Sequence, residues 1–292
     1  MLENEQRDDP PAPREPFAPA PTPPSGNAAW PPWTAFTALV GGVVLATIGG
    51  LIVDIPAAAL GAHVNSSNLS PGLTIADTTV QDVGFIAVAV FFAQLGGRKV
   101  DAAMFGLRPT RLWRAIRLLF GMLAVYFLLS LIWAEAFSTS KEKLLEQLGA
   151  NETTTLLVLS AALTCVIAPI AEEFLFRGYI FTALRNWRGT LPAALITGLL
   201  FGAVHAGSAP AIDLLPLAAL GFGLCLLYRA TGSLYPCIAA HCVNNSIAFA
   251  SLEGWVWWKA LVLMAAAFGV LWLLATALTR LGVTSREQPL TT

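Results

Sequence analysis

The sequence predicts an all-α membrane protein, a bundle of about eight transmembrane helices preceded by a disordered, proline-rich tail. Of the 292 residues, 56% are hydrophobic and only 12% are charged, roughly half the charged share of an average soluble domain. The mean hydropathy is +0.66. Apolar runs of about 20 residues, the length that crosses the hydrocarbon core of a bilayer, recur along the chain. These observations argue against a water-soluble globular protein.

The first element is the tail, residues 1–32, which mixes proline and alanine with charged residues and has no apolar periodicity. Such a segment cannot bury enough apolar surface to offset the entropy lost on ordering it. The first apolar run begins near Trp33, far from the start of the chain, whereas a secretory signal places it directly after a basic start. This run is therefore predicted to be a retained membrane anchor.

The apolar runs that follow predict the membrane spans. They lie at 34–53, 78–96, 115–134, 155–184, 191–207, 211–228, 234–252 and 256–279. They group into N-terminal transmembrane helices at 33–100, a core at 101–252, and a C-terminal helix and tail at 253–292. The shorter spans contain glycine and proline, so they must pack inside the bundle, because lipid cannot satisfy a broken backbone.

The basic residues predict how the bundle lies in the membrane. One set of alternate links and the C-terminus carries Arg98, Lys99, Arg108, Arg111, Arg114, Arg117, Arg185, Arg188, Arg229, Arg280 and Arg286, and the opposite links carry Lys141, Lys143 and Lys259. Lysine and arginine concentrate in cytoplasmic loops, so both termini are predicted to be cytoplasmic. The net charge of −1 excludes nucleic acid as a partner and leaves the lipid bilayer as the expected surroundings.

A few polar side chains interrupt the apolar runs. Glu172, Glu173 and Arg177 lie in the fourth span, His205 in the fifth, and His241 and Asn245 in the seventh. An ionised side chain at the bilayer centre costs on the order of 2.5–3.5 kcal/mol, so these groups should face one another or water.

Helix geometry directs the two adjacent glutamates of the fourth span to different faces of the helix. Glu173 and Arg177 are four residues apart and can pair as carboxylate and guanidinium. Glu172 is turned about 100° away from its neighbour, so one glutamate can be structural while the other points into a cavity. Pro169, just upstream, is expected to loosen the helix and to free a carbonyl near the site.

This cluster can support hydrolysis, because a carboxylate held away from bulk water can take a proton from a water molecule near neutral pH. Glu172 is the candidate general base, and His205 would hold and polarise the same water. His241 and Asn245 could donate hydrogen bonds to the oxyanion formed when an amide carbonyl is attacked. A divalent metal such as zinc, with Glu172, His205 and His241 as ligands, is the competing interpretation. The HExxH motif is absent, and the metal question stays open.

The polar residues also form three ordered motifs, Glu172-Glu173-x-x-x-Arg177, Phe201-x-x-x-His205 and His241-x-x-x-Asn245. In order and spacing they resemble the motifs of the CAAX-protease and bacteriocin-processing (CPBP) family of intramembrane endopeptidases. The resemblance covers about residues 155–250.

Membership of that family implies a helical bundle with its active site inside the bilayer, in a cavity reachable from the cytoplasm. It also implies that Glu172 and His205 activate water, that His241 and Asn245 assist, and that Glu173 and Arg177 support them. Phe201, as part of the second motif, is expected in the supporting group.

The function expected from these motifs is an endopeptidase that hydrolyses a peptide bond of a membrane-associated or small peptide substrate. The tail and the style of the loops favour a bacterial plasma membrane. Two alternatives stay open. One is a non-catalytic member of the family, such as a bacteriocin immunity factor or a membrane-protein assembly factor. The other is a proton-coupled transporter, against which the lack of internal repeats weighs.

Overall fold

The computed structural model describes residues 30–281 except 63, 65–68, 96, 98, 138–146 and 151, and within this part the chain is helical and contains no strand. The main helices are α1 (Trp33–Ala59), α2 (Pro71–Ala93), α3 (Leu112–Ala136), α4 (Thr154–Arg188), α5 (Thr190–Val204), α6 (Leu214–Thr231), α7 (Leu234–Leu252) and α8 (Trp257–Arg280). The predicted fold class, an all-α polytopic helical bundle, is confirmed.

Of the described helices, seven are long and apolar enough to cross a membrane. The predicted span outside this set is 234–252, which forms α7. This helix is less apolar than the others because it carries His241, Asn244 and Asn245. The most apolar window of α8, in contrast, is only 6% buried, so most of its side chains face outward, as contact with lipid requires.

The links of the bundle meet at two ends. At one end, Arg108 Nε donates a hydrogen bond to the Gly232 carbonyl, and Ser233 Oγ donates to the Arg108 carbonyl at 2.6 Å. These bonds join the α2–α3 link to the α6–α7 link, and this end is called the basic end below. At the other end, Trp133 Nε1 donates to the Ile212 carbonyl at 3.1 Å. This bond joins the end of α3 to the α5–α6 link.

The pair α5 and α6 makes the most extensive contact in the bundle, and glycine permits it. A Cβ atom at Gly198 would lie only 2.7 Å from the Ala218 carbonyl oxygen and 2.8 Å from the Phe222 nitrogen. Small residues let two membrane helices approach backbone to backbone. This contact fixes the position of the second motif, which lies at the end of α5.

The predicted tail is wrong at its last residues, 30–32. Trp30 is only 1% exposed, and its ring centroid lies 4.7 Å from that of Tyr179 and 5.3 Å from that of Phe105. Burial of a large aromatic side chain offsets the entropy of ordering this short segment. The rest of the tail, together with Lys141, Lys143 and residues 282–292, lies outside the described residues.

Candidate active site

A cavity of about 890 Å³ extends from the middle of the bundle to the end opposite the basic end. Glu172, His205, His241 and Asn245 all line it. The structure therefore brings the four side chains predicted to be catalytic to one space. Residues of α1, α2, α3 and α6 also contribute to its wall.

Glu173 does not line this cavity and is the centre of a buried polar cluster. Its side chain is 0% exposed, and its Oε1 accepts hydrogen bonds from Arg177 Nη1 at 2.7 Å and from His241 Nδ1 at 2.9 Å. Arg177 Nη2 also donates to the Gly221 carbonyl of α6 at 3.0 Å. The i, i+4 pairing of Glu173 and Arg177 thus occurs as expected, and it ties α4 to α6 and α7.

Phe201 supports the cluster by packing. The Arg177 guanidinium carbon lies 4.5 Å from the centroid of its ring, a cation–π distance. The rings of His205 and His241 lie 4.9 and 5.6 Å from the same centroid. One phenyl ring therefore contacts the arginine and both motif histidines.

Glu172 faces the cavity, as the 100° turn from Glu173 predicts. Its side chain is 14% exposed, and its Oε2 lies 3.8 Å from His241 Nε2. This separation is too long for a direct hydrogen bond, and Oε2 has no hydrogen-bond partner. Because a carboxylate only accepts, His241 Nδ1 must be the donor to Glu173. The Nε2 atom is therefore directed toward Glu172, and a water molecule could donate to both atoms.

His205 also lines the cavity. Its Nδ1 lies 2.7 Å from the Phe201 carbonyl oxygen, which only accepts, so Nδ1 is the donor. In the neutral ring Nε2 is then an acceptor. Within the described residues the histidine that contacts the glutamates is His241, and His205 makes no ion pair with them.

The backbone of α4 departs from regular α-helix on both sides of the glutamates. Segments of π-helix span Leu163–Ile167 and Phe174–Phe181, and such segments occur frequently at functional sites. In the first one the N–H of Ala168 bonds to the Leu163 carbonyl, five residues back. The next donor in this pattern would be residue 169, a proline, which has no N–H.

The carbonyl left free by Pro169 is that of Thr164. It accepts a hydrogen bond from Asn245 Nδ2 at 2.9 Å, and Asn245 Oδ1 accepts one from Asn244 Nδ2 at 3.0 Å. The freed carbonyl expected upstream of the glutamates is therefore present, and its partner is the last motif residue. One N–H of the Asn245 amide remains for another acceptor.

Sequence reasoning missed Asp82, which lines the same cavity from α2. The residue is 1% exposed, and neither carboxylate oxygen has a hydrogen-bond partner. The available signal was a single aspartate in the middle of an apolar run. Helix α2 carries none of the three motifs, so no pattern links this aspartate to the site.

The metal interpretation requires three ligands at one point. Among the residues that the structure describes, no three histidine, cysteine, aspartate or glutamate side chains form a group that could hold a metal ion. The contact between Glu172 and His241 does not include His205. The predicted ligand set therefore does not fit a zinc site in this arrangement, and no step below uses a metal.

Comparison with known proteins agrees with the motifs. Residues 154–247 match the family model described as "Type II CAAX prenyl endopeptidase Rce1-like". A stretch of 88 residues is 35% identical to the protein named "Putative membrane peptidase YdiL" of Bacillus subtilis (strain 168). This stretch covers 30% of the present chain and 35% of the relative's length. No solved structure matches the chain significantly.

The fold and the site together define a polytopic helical membrane protein with an acid–histidine–amide cluster in an internal cavity. All three motifs lie within the matched segment 154–247. This segment is similar to the Rce1-like CAAX endopeptidase family, in agreement with the resemblance of the motifs to the CPBP family. Helices α1 to α3 and α8 lie outside the match, although α1, α2 and α3 all contribute to the cavity lining.

Proposed function

We propose that the protein is an intramembrane endopeptidase that hydrolyses a peptide bond of a membrane-associated or small peptide substrate. The observation that supports this most is the position of Glu172, whose unpartnered Oε2 faces His241 at 3.8 Å on the wall of the cavity. The match to an endopeptidase family over the residues that hold this cluster supports the same activity.

In the proposed reaction, a water molecule in the cavity donates to Glu172 and is polarised by His205. Glu172 takes one proton while the water oxygen bonds to the carbonyl carbon of the substrate. The tetrahedral intermediate carries its negative charge on the former carbonyl oxygen. When the C–N bond breaks, the proton held by Glu172 passes to the leaving nitrogen. The products are one carboxylic acid and one amine, so the atoms of water and of the peptide are all accounted for.

The oxyanion of the intermediate needs hydrogen-bond donors. Asn245 has one N–H left beyond its bond to Thr164, and His241, when protonated, offers Nε2–H toward the cavity. Glu173 orients the imidazole by accepting from Nδ1, and Arg177 orients Glu173. In this proposal Glu173 and Arg177 are positioning residues, since neither lines the cavity.

The proposal is tested with purified protein in lipid nanodiscs and a library of internally quenched peptides. Glu172→Gln keeps the size of the side chain but removes the base, and we expect it to lower kcat/KM at least about 100-fold, the usual contribution of general base catalysis. Glu152→Gln, at an exposed glutamate before α4, is the matched control and should cleave like the wild type. Equal cleavage by Glu172→Gln and the wild type would remove Glu172 from the mechanism.

Complementation separates catalysis from a non-catalytic role. If Glu172→Gln and His205→Ala both restore the biological effect of a deletion strain at normal expression, then binding and not hydrolysis is responsible. We expect both variants to fail.

A further inference from the structure

The cavity that holds Glu172 is lined by several acidic side chains. Asp82, Glu172 and Asp213 line it, and its described lining residues include neither lysine nor arginine. Arg177, the nearest cation in the motifs, is turned away from it into the cluster with Glu173 and Gly221. Apart from His205 and His241, the described lining residues therefore offer a ligand carboxylates with no basic side chain beside them.

Asp82 is the most deeply buried of these carboxylates. It lies near the middle of α2, it is 1% exposed, and both of its oxygens lack a partner. A buried carboxylate without a partner is strongly unfavourable, and a cation with matching hydrogen-bond donors relieves this. A lysine or arginine side chain of a ligand would supply both the positive charge and the hydrogen-bond donors.

The cavity opens away from the basic end of the bundle. Its lining includes the exposed residues Gln147, Gly207 and Ser251, which lie at the ends of helices or in links at the opposite end. The described charges near these links are Glu135, Glu152, Asp213, Glu253 and Lys259. Among these described charges, acidic groups outnumber the one lysine four to one, a distribution that attracts cations.

We propose that the cavity binds a peptide that carries a lysine or arginine side chain, that this side chain pairs with Asp82, and that the peptide enters from the end opposite the basic end. The proposal rests on the proposed endopeptidase function and names its substrate class. If the basic end is cytoplasmic, as the distribution of lysine and arginine predicts, the substrate arrives from the extracytoplasmic face. This differs from the cytoplasmic access that the family resemblance implies.

The preference for a basic side chain is tested by varying the charge of the peptide. Internally quenched peptides with lysine, glutamine or glutamate at each position in turn are compared by kcat/KM in nanodiscs. We expect a preference for lysine over glutamine of about tenfold at one position, the effect of one charge-assisted hydrogen bond. Asp82→Asn should reduce this ratio to near one. Asp77→Asn, on the same helix but outside the cavity lining, should leave the ratio unchanged.

Binding provides a readout that does not depend on cleavage. Fluorescent lysine and glutamine peptides are titrated against Glu172→Gln protein, with and without Asp82→Asn. Lysine-dependent binding that disappears with Asp82→Asn supports the proposed subsite, the pairing of a basic side chain with Asp82, even if no variant cleaves. Equal binding of both peptides, or a lysine preference that survives Asp82→Asn, overturns it. If the wild type and Glu172→Gln cleave equally, the proposed mechanism fails while the subsite is still judged by binding.

Cysteine labelling tests the side of entry. Ser251→Cys lies at the cavity opening and Asn186→Cys at the basic end, and both positions are exposed. The described native cysteines are all buried. In intact cells, a membrane-impermeant maleimide should label Ser251→Cys, and it should label Asn186→Cys only after the membrane is disrupted. The reverse pattern would place the opening in the cytoplasm and overturn this part of the proposal.

Discussion

The Arg177–Glu173 pair offers a quantitative test of how the site is held together. In Arg177→Met the apolar replacement fills similar space but removes the guanidinium. Glu173, which is 0% exposed, then keeps one hydrogen bond, from His241, and loses its counter-ion. The buried Gly221 carbonyl also loses its donor. Removing one partner of a buried ion pair costs about 3–5 kcal/mol, and we expect a loss of unfolding free energy of this size.

A double-mutant cycle separates the pair from its surroundings. Glu173→Gln removes the negative charge but keeps an acceptor for His241. In the double variant neither charge is left uncompensated, so it should be more stable than the sum of the two single effects predicts. A coupling energy of about 2 kcal/mol is expected, within the range for groups in direct contact.

The assay is unfolding of detergent-solubilised protein by increasing sodium dodecyl sulfate, followed by the fluorescence of its nine tryptophans. Arg114→Met, at an exposed arginine of α3, is the matched control and should change the unfolding free energy by about 0.5 kcal/mol or less. If Arg177→Met loses less than about 1 kcal/mol, or if the single effects simply add, the buried ion pair does not hold α4 against α6 and α7 as described.

Three further outcomes follow from the packing and the ligand geometry. Gly198→Ala should lower the unfolding free energy by about 1–3 kcal/mol, because its Cβ would lie 2.7 and 2.8 Å from backbone atoms of α6. The control is Gly121→Ala, whose Cβ would have nothing within 4 Å. It should be neutral or slightly stabilising in the same unfolding assay. Thr34→Val removes the acceptor of the Tyr179 hydroxyl, 2.7 Å away, and should lower stability by about 1 kcal/mol. Peptide cleavage should survive prolonged treatment with a chelator, because the described residues bring no three metal-ligating side chains together; activity lost on chelation and restored by zinc would contradict this.

The features that sequence alone predicted are those set by local geometry. Helix periodicity places Glu173 and Arg177 on one face, four residues apart, and the structure joins them at 2.7 Å. The same periodicity turns Glu172 into the cavity. Pro169 lacks an N–H wherever it lies in a helix, so a free carbonyl upstream was predictable. That its partner would be Asn245, 81 residues away from Thr164, was not.

The features that the sequence did not predict depend on contacts between helices. The similar depths of Glu172 and His205 in neighbouring spans suggest that both act on one water molecule. Depth does not fix the rotation of a helix about its axis, so it did not reveal that His241 also faces Glu172. Asp82 lies outside all three motifs, and only the packing of α2 against α4 brings it to the cavity.

The two adjacent glutamates differ in how the protein compensates their charges. Glu173 is held inside the protein by Arg177 and His241, so its charge is compensated without a substrate. Glu172 and Asp82 face the cavity, and neither has a cation of the protein as a partner beyond the distant contact to His241. The two carboxyl groups without a cationic partner therefore lie on the side from which a ligand must come. In our proposal a basic side chain of the substrate pairs with Asp82, in the same cavity that Glu172 lines.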